Sequence, residues 1–373
     1  MSEETVAPQP ARQWVVMRNA SMDLRVGAGI VGDFPRALRS AAGRPHACAL
    51  VSGREAPEEV VETLRLNLCD QGFDVRLVPL ERGGRDLAAL EALLSQLAEA
   101  RVTSDDLVCA VGGMETLSVA SFACSAWYGG VSLAEVPCDL PSAVAAAVTP
   151  LALGAAGRRD VLCQDGSARY SSLDVDLFDL DPAGRELPLA LALMAQTAVC
   201  DSDRSFGKLW DAADDLARGD RDAWVEQLQA SVKSRGKVAS ASSVAVRASL
   251  EFGTTFAEAL LALSPGGASR AVALADGMRF ASRLAVGQGN LSVDDMFTID
   301  ELLERLGLGT APAACAPSAA DLVEKIREVR LARTNRFMLA VPRALGRVRL
   351  TAIDDDLIAE HAAAWCASRP AEQ

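Results

Sequence analysis

The sequence predicts an α/β domain built on a parallel, Rossmann-like sheet, followed by a mainly α-helical C-terminal domain. Three observations carry this. Strand and helix patterns alternate through the first half, and apolar strand runs there end in glycine turns. From about Glu186 onward, almost every periodic segment has helical spacing. Alternation at this spacing specifies parallel strands with helices on both faces.

The elements follow in order. "MSEETVAPQPARQ" is polar, carries prolines at 8 and 10, and lacks a charged-then-apolar leader pattern. Residues 1–14 are therefore expected to be a disordered tail on a cytoplasmic protein. "QWVVMRNASMDLRVG" carries β-branched strand runs, and "HACALVSG" is a short apolar strand ending at Gly53. "APEEVVETLRLNLCDQG" has the amphipathic period of a helix that stops at Gly72. Strand "FDVRLVPL", helix "DLAALEALLSQLAEARV", strand "DDLVCAVGG", helix "ETLSVASFACSAWYGG" and strand "VSLAEVPCDL" follow. The domain boundary is expected near "FDLDPAGRE", giving an α/β domain over 15–182 and a helical domain over 183–373. In the second domain, "RDAWVEQLQASVKSRGKVASASSVAV" reads as a helix, and so does "TTFAEALLALS". "RFMLAVPRALGRVRLTAI" reads as a strand, turn and strand within that helical domain.

Composition narrows the function classes. The chain has 373 residues, enough for two domains, and half are hydrophobic. Its net charge of −13 repels phosphate backbones and argues against nucleic acid as a partner. No run reaches the roughly 18 apolar residues that span a bilayer. Nine cysteines are scattered without a CxxC pair, mostly in apolar runs, and read as reduced core residues; Cys138 in "VPCDL" stands apart. The two histidines, His46 and His361, have no ligand spacing to anything, which removes HExxH sites and most histidine-based zinc sites.

Several stretches could carry chemistry. "VGAGIVGD" sets Gly27, Gly29 and Gly32 in GxGxxG spacing, but the next strand ends in Ser52 and Gly53 where a dinucleotide fingerprint needs an acid. A plain glycine turn and a nucleotide turn both remain open, the former favoured. "CAVGGMETL" places Gly112 and Gly113 at a strand end before a helix, a position that attracts phosphate; Met114 and Glu115 follow directly. "SVKSRGKVAS" supplies Lys233 and "VAVRASLEF" supplies Arg247, 14 residues apart, which share a face only if one helix continues between them. Arg270 and Asp276 sit in an otherwise apolar helix, and Arg270 is expected to pair with Glu258.

The order of these pieces resembles 3-dehydroquinate synthase and the wider sugar phosphate cyclase superfamily. The likeness runs from about residue 15 to 350 through "VGAGIVGD", "CAVGGMETLSVASFACSAWYGGVSLAEVPCDL", "LDPAGREL", "SVKSRGKVAS", "LEFGTTFAEAL", "RAVALADGM" and "RFMLAVPRALGRVRL". It implies an NAD- and zinc-dependent lyase that transiently oxidises a sugar-phosphate alcohol, eliminates phosphate and closes a carbocycle. It also implies that the metal glutamate has become Leu193, and that the two metal histidines have become Thr254 and Arg270. A substrate histidine has become Glu258, and the lysine after the metal glutamate is Gln196. An aspartate and a lysine correspond to Ala145 and Leu151, and a substrate arginine to Gly129. In the nucleotide turn a glycine and an aspartate become Met114 and Ser118, and the ribose acid becomes Gly53. Lys233, Arg247 and Arg85 persist.

Leucine and threonine do not bind zinc, and a cationic arginine repels it. The expectation is therefore a protein without zinc and with a damaged NAD site. Its candidate catalytic residues are Glu258, Arg270, Lys233, Arg247 and Thr254, with Gly112 and Gly113 as the remnant of the cofactor turn. A small, less polar molecule in the cleft between domains is the expected substrate. The expected assembly is a homodimer, or a heterodimer with a related enzyme.

Overall fold

The apolar runs that end in glycine become the centre of one sheet. The structure is a computed structural model and describes residues 10–18, 20–43, 45–149, 151–166 and 168–369. Its first unit runs to Asp179 and also takes in Trp224–Ser240; Leu180–Ala223 and the residues from Ala241 onward form the second.

The first unit begins with β1 (Ala11–Val16) and β2 (Ser21–Gly27), then α1 (Phe34–Ala41), β3 (Ala47–Gly53) and α2 (Glu58–Asp70). It continues with β4 (Asp74–Leu80), α3 (Leu87–Glu99), β5 (Leu107–Gly112), α4 (Met114–Ala126), β6 (Ser132–Pro137) and α5 (Leu140–Ala145). A hairpin of β7 (Leu151–Ala155) and β8 (Arg158–Gln164) precedes β9 (Ala168–Asp174). Seven strands form a sheet in the order β1-β2-β9-β6-β5-β3-β4, parallel except at the β1–β2 edge. Every residue of β5 is buried, as a central strand covered on both faces requires. Leu50, Leu64, Leu68, Leu107, Cys109 and Val136 pack one face of the sheet against its helices. From β3 the chain steps outward to β4, then crosses back to β5 on the other side of β3. Ligands in open α/β sheets bind beyond the strand ends at such a reversal.

Two expectations change here. The expected tail over 1–14 does not hold for its last residues: those from Ala11 are strand, paired to β2 and held by a bidentate contact of Arg12 with buried Asp23 at 3.0 and 2.9 Å. Residues 1–9 lie outside the described set. The strands between Leu151 and Asp174 carry no clear apolar period in the sequence: β8 is largely exposed and opens on Arg158 and Arg159, and the buried run of β9 is interrupted by Ser171 and Ser172.

The second unit contains α6 (Glu186–Asp201) and α7 (Asp203–Ala217). After α8 (Arg221–Ala239), most of which belongs to the first unit, come α9 (Val244–Arg247), α10 (Thr254–Leu263), α11 (Arg270–Gly287), α12 (Val293–Arg305) and α13 (Ala319–Leu331). β10 (Met338–Ala344) and β11 (Arg347–Ala352) form the expected antiparallel pair, and α14 (Asp355–Ala367) closes the unit. The helix read through "VKSRGKVASASSVAV" breaks instead: α8 ends at Ala239 and α9 starts at Val244. Lys233 and Arg247 therefore share no helix face, and they fall in different units.

α11 is the buried spine of the second unit. Gly277 lets the turn before α10 approach it, since a Cβ there would come within 2.0 Å of the Gly253 carbonyl oxygen. Gly253 itself has φ +79°, the left-handed region that favours glycine. Phe256 then packs on Phe280, with ring centroids 4.7 Å apart.

Candidate functional site

At the reversal between β3 and β5 the Gly112–Gly113 turn survives, and it is occupied by the chain itself. The Glu55 carboxylate comes from the loop after β3 and accepts hydrogen bonds at Oε1 from the Gly113 amide and the Thr116 hydroxyl, both 2.8 Å. The glycines make room for it. A Cβ on Gly112 would lie 3.0 Å from Glu55 Oε1, and one on Gly53 would lie 2.7 Å from Oε2. A Cβ on Gly113 would lie 2.5 Å from Asp139 Oδ2. Asp139 caps α5 by accepting from the Ser142 amide and hydroxyl at 2.7 and 2.8 Å. Burial and then the neighbouring Glu55 act to raise its pKa against those hydrogen bonds, and the net shift is upward. Glu115 adds a third carboxylate, accepting from the Gly84 amide at 2.8 Å. Orphan N–H groups at a helix start attract an anion; here the anion is Glu55.

The other glycine turn is closed in the same way. Buried Asp174, at the end of β9, accepts from the amides of Gly29 at 2.7 Å and Val31 at 2.8 Å. Gly29 has φ +69°, which sets those amides toward the carboxylate. "VGAGIVGD" is thus a glycine turn bound to an internal acid.

In the second unit, the side chains that the resemblance sets at the metal make neutral contacts. Gln196 on α6 donates from Nε2 to the Phe252 carbonyl at 2.8 Å and to the Thr254 hydroxyl at 3.3 Å. Leu193, one turn earlier, is half-buried, and its carbonyl accepts from the Thr197 hydroxyl at 2.8 Å. The expected pair of Glu258 with Arg270 does not form. Glu258 faces Arg333, with Nη2 to Oε1 at 3.5 Å, and Arg270 is exposed in the first turn of α11. The buried charges of α11 are Asp276 and Arg279, 3.6 Å apart, and Asp276 also meets Arg369 at 2.9 Å and the Ala311 amide at 2.9 Å. Arg247 is half-buried, and its Nη1 donates to the carbonyls of Ala241 at 2.6 Å and Ser242 at 3.0 Å. Lys233 is exposed on α8 in the first unit, while Arg235 beside it is buried and donates to the Thr149 hydroxyl at 2.6 Å. Arg85 is ion-paired to Asp160. Ala145 is buried, Gly129 is exposed, and Leu151 opens β7 with its side chain outside the described set.

Among the described residues, no three His, Cys, Asp or Glu side chains gather into a group that could hold a metal ion. All nine cysteines are free thiols, five of them buried; Cys69 and Cys163 are exposed and Cys138 is half-buried. No described helix is long and apolar enough to cross a membrane.

The sequence reading missed four residues. Glu55 lies two positions past the expected ribose acid, a spacing that hinted at it. Asp174 and Arg333 gave no local signal. Glu135 did: a carboxylate inside the apolar run "SLAEVP" is conspicuous. It is fully buried on β6, neither of its oxygens has a hydrogen-bond partner among the described residues, and burial raises its pKa to about 8.

No protein-family model matches the chain. The 3-dehydroquinate synthase of Xylella fastidiosa (strain M23) is 25% identical over 352 residues, covering 91% of this chain and 94% of its own. That of Thermobifida fusca (strain YX) is 32% identical over 128 residues, 34% of each chain. Among solved structures, 2-deoxy-scyllo-inosose synthase complexed with carbaglucose-6-phosphate, NAD+ and Co2+ superposes with a TM-score of 0.78 at 15% identity, covering 95% of this chain and 99% of its own. The 2-epi-5-epi-valiolone synthase of Streptomyces hygroscopicus subsp. jinggangensis 5008, with NAD+ and Zn2+ bound, gives 0.75 at 15% identity over 96% and 100%. With its parallel sheet, its helical second unit and relatives matched along almost its whole length, the chain shares the fold of these synthases and is similar in sequence to 3-dehydroquinate synthase.

Proposed function

We propose that this protein keeps the superfamily fold without its zinc- and NAD-dependent chemistry. It acts instead as a metal-independent cyclase, lyase or isomerase on a less polar substrate in specialised biosynthesis. The contact between Gln196 and Thr254 carries this reading. An amide and a hydroxyl meet where the resemblance sets a lysine and a metal-bound histidine. With Leu193 and exposed Arg270 at the other positions that the resemblance gives to the metal, these side chains do not fit zinc, which takes thiolate, imidazole or carboxylate donors. The Gly112–Gly113 turn does not fit a dinucleotide pyrophosphate either, because Glu55 already holds its Gly113 amide.

Glu258 then supplies the acid–base chemistry. A half-buried carboxylate facing a guanidinium can remove a proton next to a carbonyl, and cations of the same unit such as Arg247 and Arg270 can orient a carboxylate or enolate. Glu258→Gln and Arg270→Met, tested in the organism that makes the product, are expected to abolish its formation. Wild-type product levels from both variants would sink the enzymatic reading.

One observation favours a second reading, a non-catalytic partner of a related active enzyme. Arg270 is exposed and Glu258 is matched to Arg333, so these two charges do not converge. Under this reading, mixing the protein with an active homologue yields a heterodimer by native mass spectrometry, and the two variants assemble as well as wild type.

A further inference from the structure

We propose that Glu55 is a built-in anion that shuts the β5–α4 turn against phosphate groups, so that the protein's ligand is not anchored there through a phosphate or pyrophosphate. The inference stands whether the protein is an enzyme or a partner. It rests on the geometry of the first unit alone.

The turn keeps what phosphate binding needs. Gly112 has φ +153°, Gly113 precedes a 13-residue helix, and the site lies at the strand-order reversal. What differs is the occupant. Glu55 Oε1 takes the Gly113 amide and the Thr116 hydroxyl, the donors a phosphate oxygen would need. Asp139 closes in on the same glycine, with Oδ2 2.5 Å from the position of a Gly113 Cβ. Glu115 holds the Gly84 amide on the facing loop. A phosphate entering here loses its N–H donor and meets three carboxylates. Glu55 belongs to an exposed loop, so its removal leaves the core of the sheet untouched.

The test is thermal unfolding and calorimetry of the full chain with inorganic pyrophosphate and, separately, NAD+. The wild-type unfolding midpoint should not respond to either at millimolar concentration. Glu55→Ala should unfold at lower temperature, because α4 loses its capping anion, and millimolar pyrophosphate should restore it. Its affinity for pyrophosphate should exceed that of wild type by roughly tenfold or more, the effect of removing one like charge from the turn. Glu55→Gln keeps the hydrogen-bond acceptor without the charge, so it folds like wild type and binds pyrophosphate with intermediate affinity. Equal binding by wild type and both variants, or no gain in either variant, overturns the proposal.

Discussion

Gln196 and Thr254 are joined across α6 and α10, with Nε2 to Oγ1 at 3.3 Å, while the same nitrogen satisfies the Phe252 carbonyl at 2.8 Å. Gln196 and Phe252 are buried, so the bond to the Phe252 carbonyl is made away from water, while Thr254 is half-buried. Gln196→Leu leaves a buried carbonyl without its donor, which costs about 1–3 kcal/mol. Urea unfolding should show a lower midpoint at an unchanged slope. A midpoint equal to wild type would mean the contact is not made in solution.

Gly277→Ala tests the spine of the second unit. The atoms its Cβ would strike, the Gly253 carbonyl and Cα, are backbone, so no side chain can swing aside. The helix must move away from the α10 turn, at a cost of about 3 kcal/mol. Ala substituted at exposed Gly289 is strained only by its own φ of +68°, because nothing lies within 4 Å of the added Cβ. Its midpoint should therefore fall less than that of Gly277→Ala.

Asp174→Ala tests the glycine turn after β2. It removes the buried acceptor of the Gly29 and Val31 amides; Gly29 is exposed and Val31 half-buried, so water replaces part of the loss, which is about 1–2 kcal/mol. Hydrogen exchange should quicken at these two amides well before it does in β5. Unchanged protection at Gly29 and Val31 would contradict the assignment.

Glu135 gives the protein a pH signature. Its pKa rises from 4.5 to about 8 on burial, so the folded chain holds a proton that the unfolded chain releases. The native state binds more protons across that window, and stability falls as pH rises through it. The full penalty, on the order of several kcal/mol, is present only above the folded pKa. Glu135→Gln keeps the shape and cannot ionise. It should flatten the pH dependence of unfolding between mildly acidic and mildly alkaline buffers, and at the alkaline end it should be the more stable protein. Parallel curves for the two proteins would remove Glu135 as the cause.

The sheet was legible in the sequence because buried parallel strands such as "LVCAVG" are continuously apolar and end in glycine. The β7–β8 hairpin was not, since its exposed arginines obscure the period that marks a strand. Both glycine turns were found from spacing, but their occupants were not. Asp174 reaches Gly29 across 145 residues and Glu55 reaches Gly113 across 58, and such contacts leave no local trace. The pairing of Glu258 failed for the same reason, since Arg333 is 75 residues away and nothing in α11 announces it. Substitutions at single positions, such as Thr254 and Gln196, were readable one by one; that they touch required the fold.

Native mass spectrometry of the purified protein, after incubation with NAD+ and Zn2+ and gentle desalting, addresses the central claim most directly. The account predicts the mass of the polypeptide assembly alone, with neither nucleotide nor stoichiometric metal. One NAD and one zinc ion retained per chain would contradict it, and would return the protein to the cofactor chemistry that its resemblance implies.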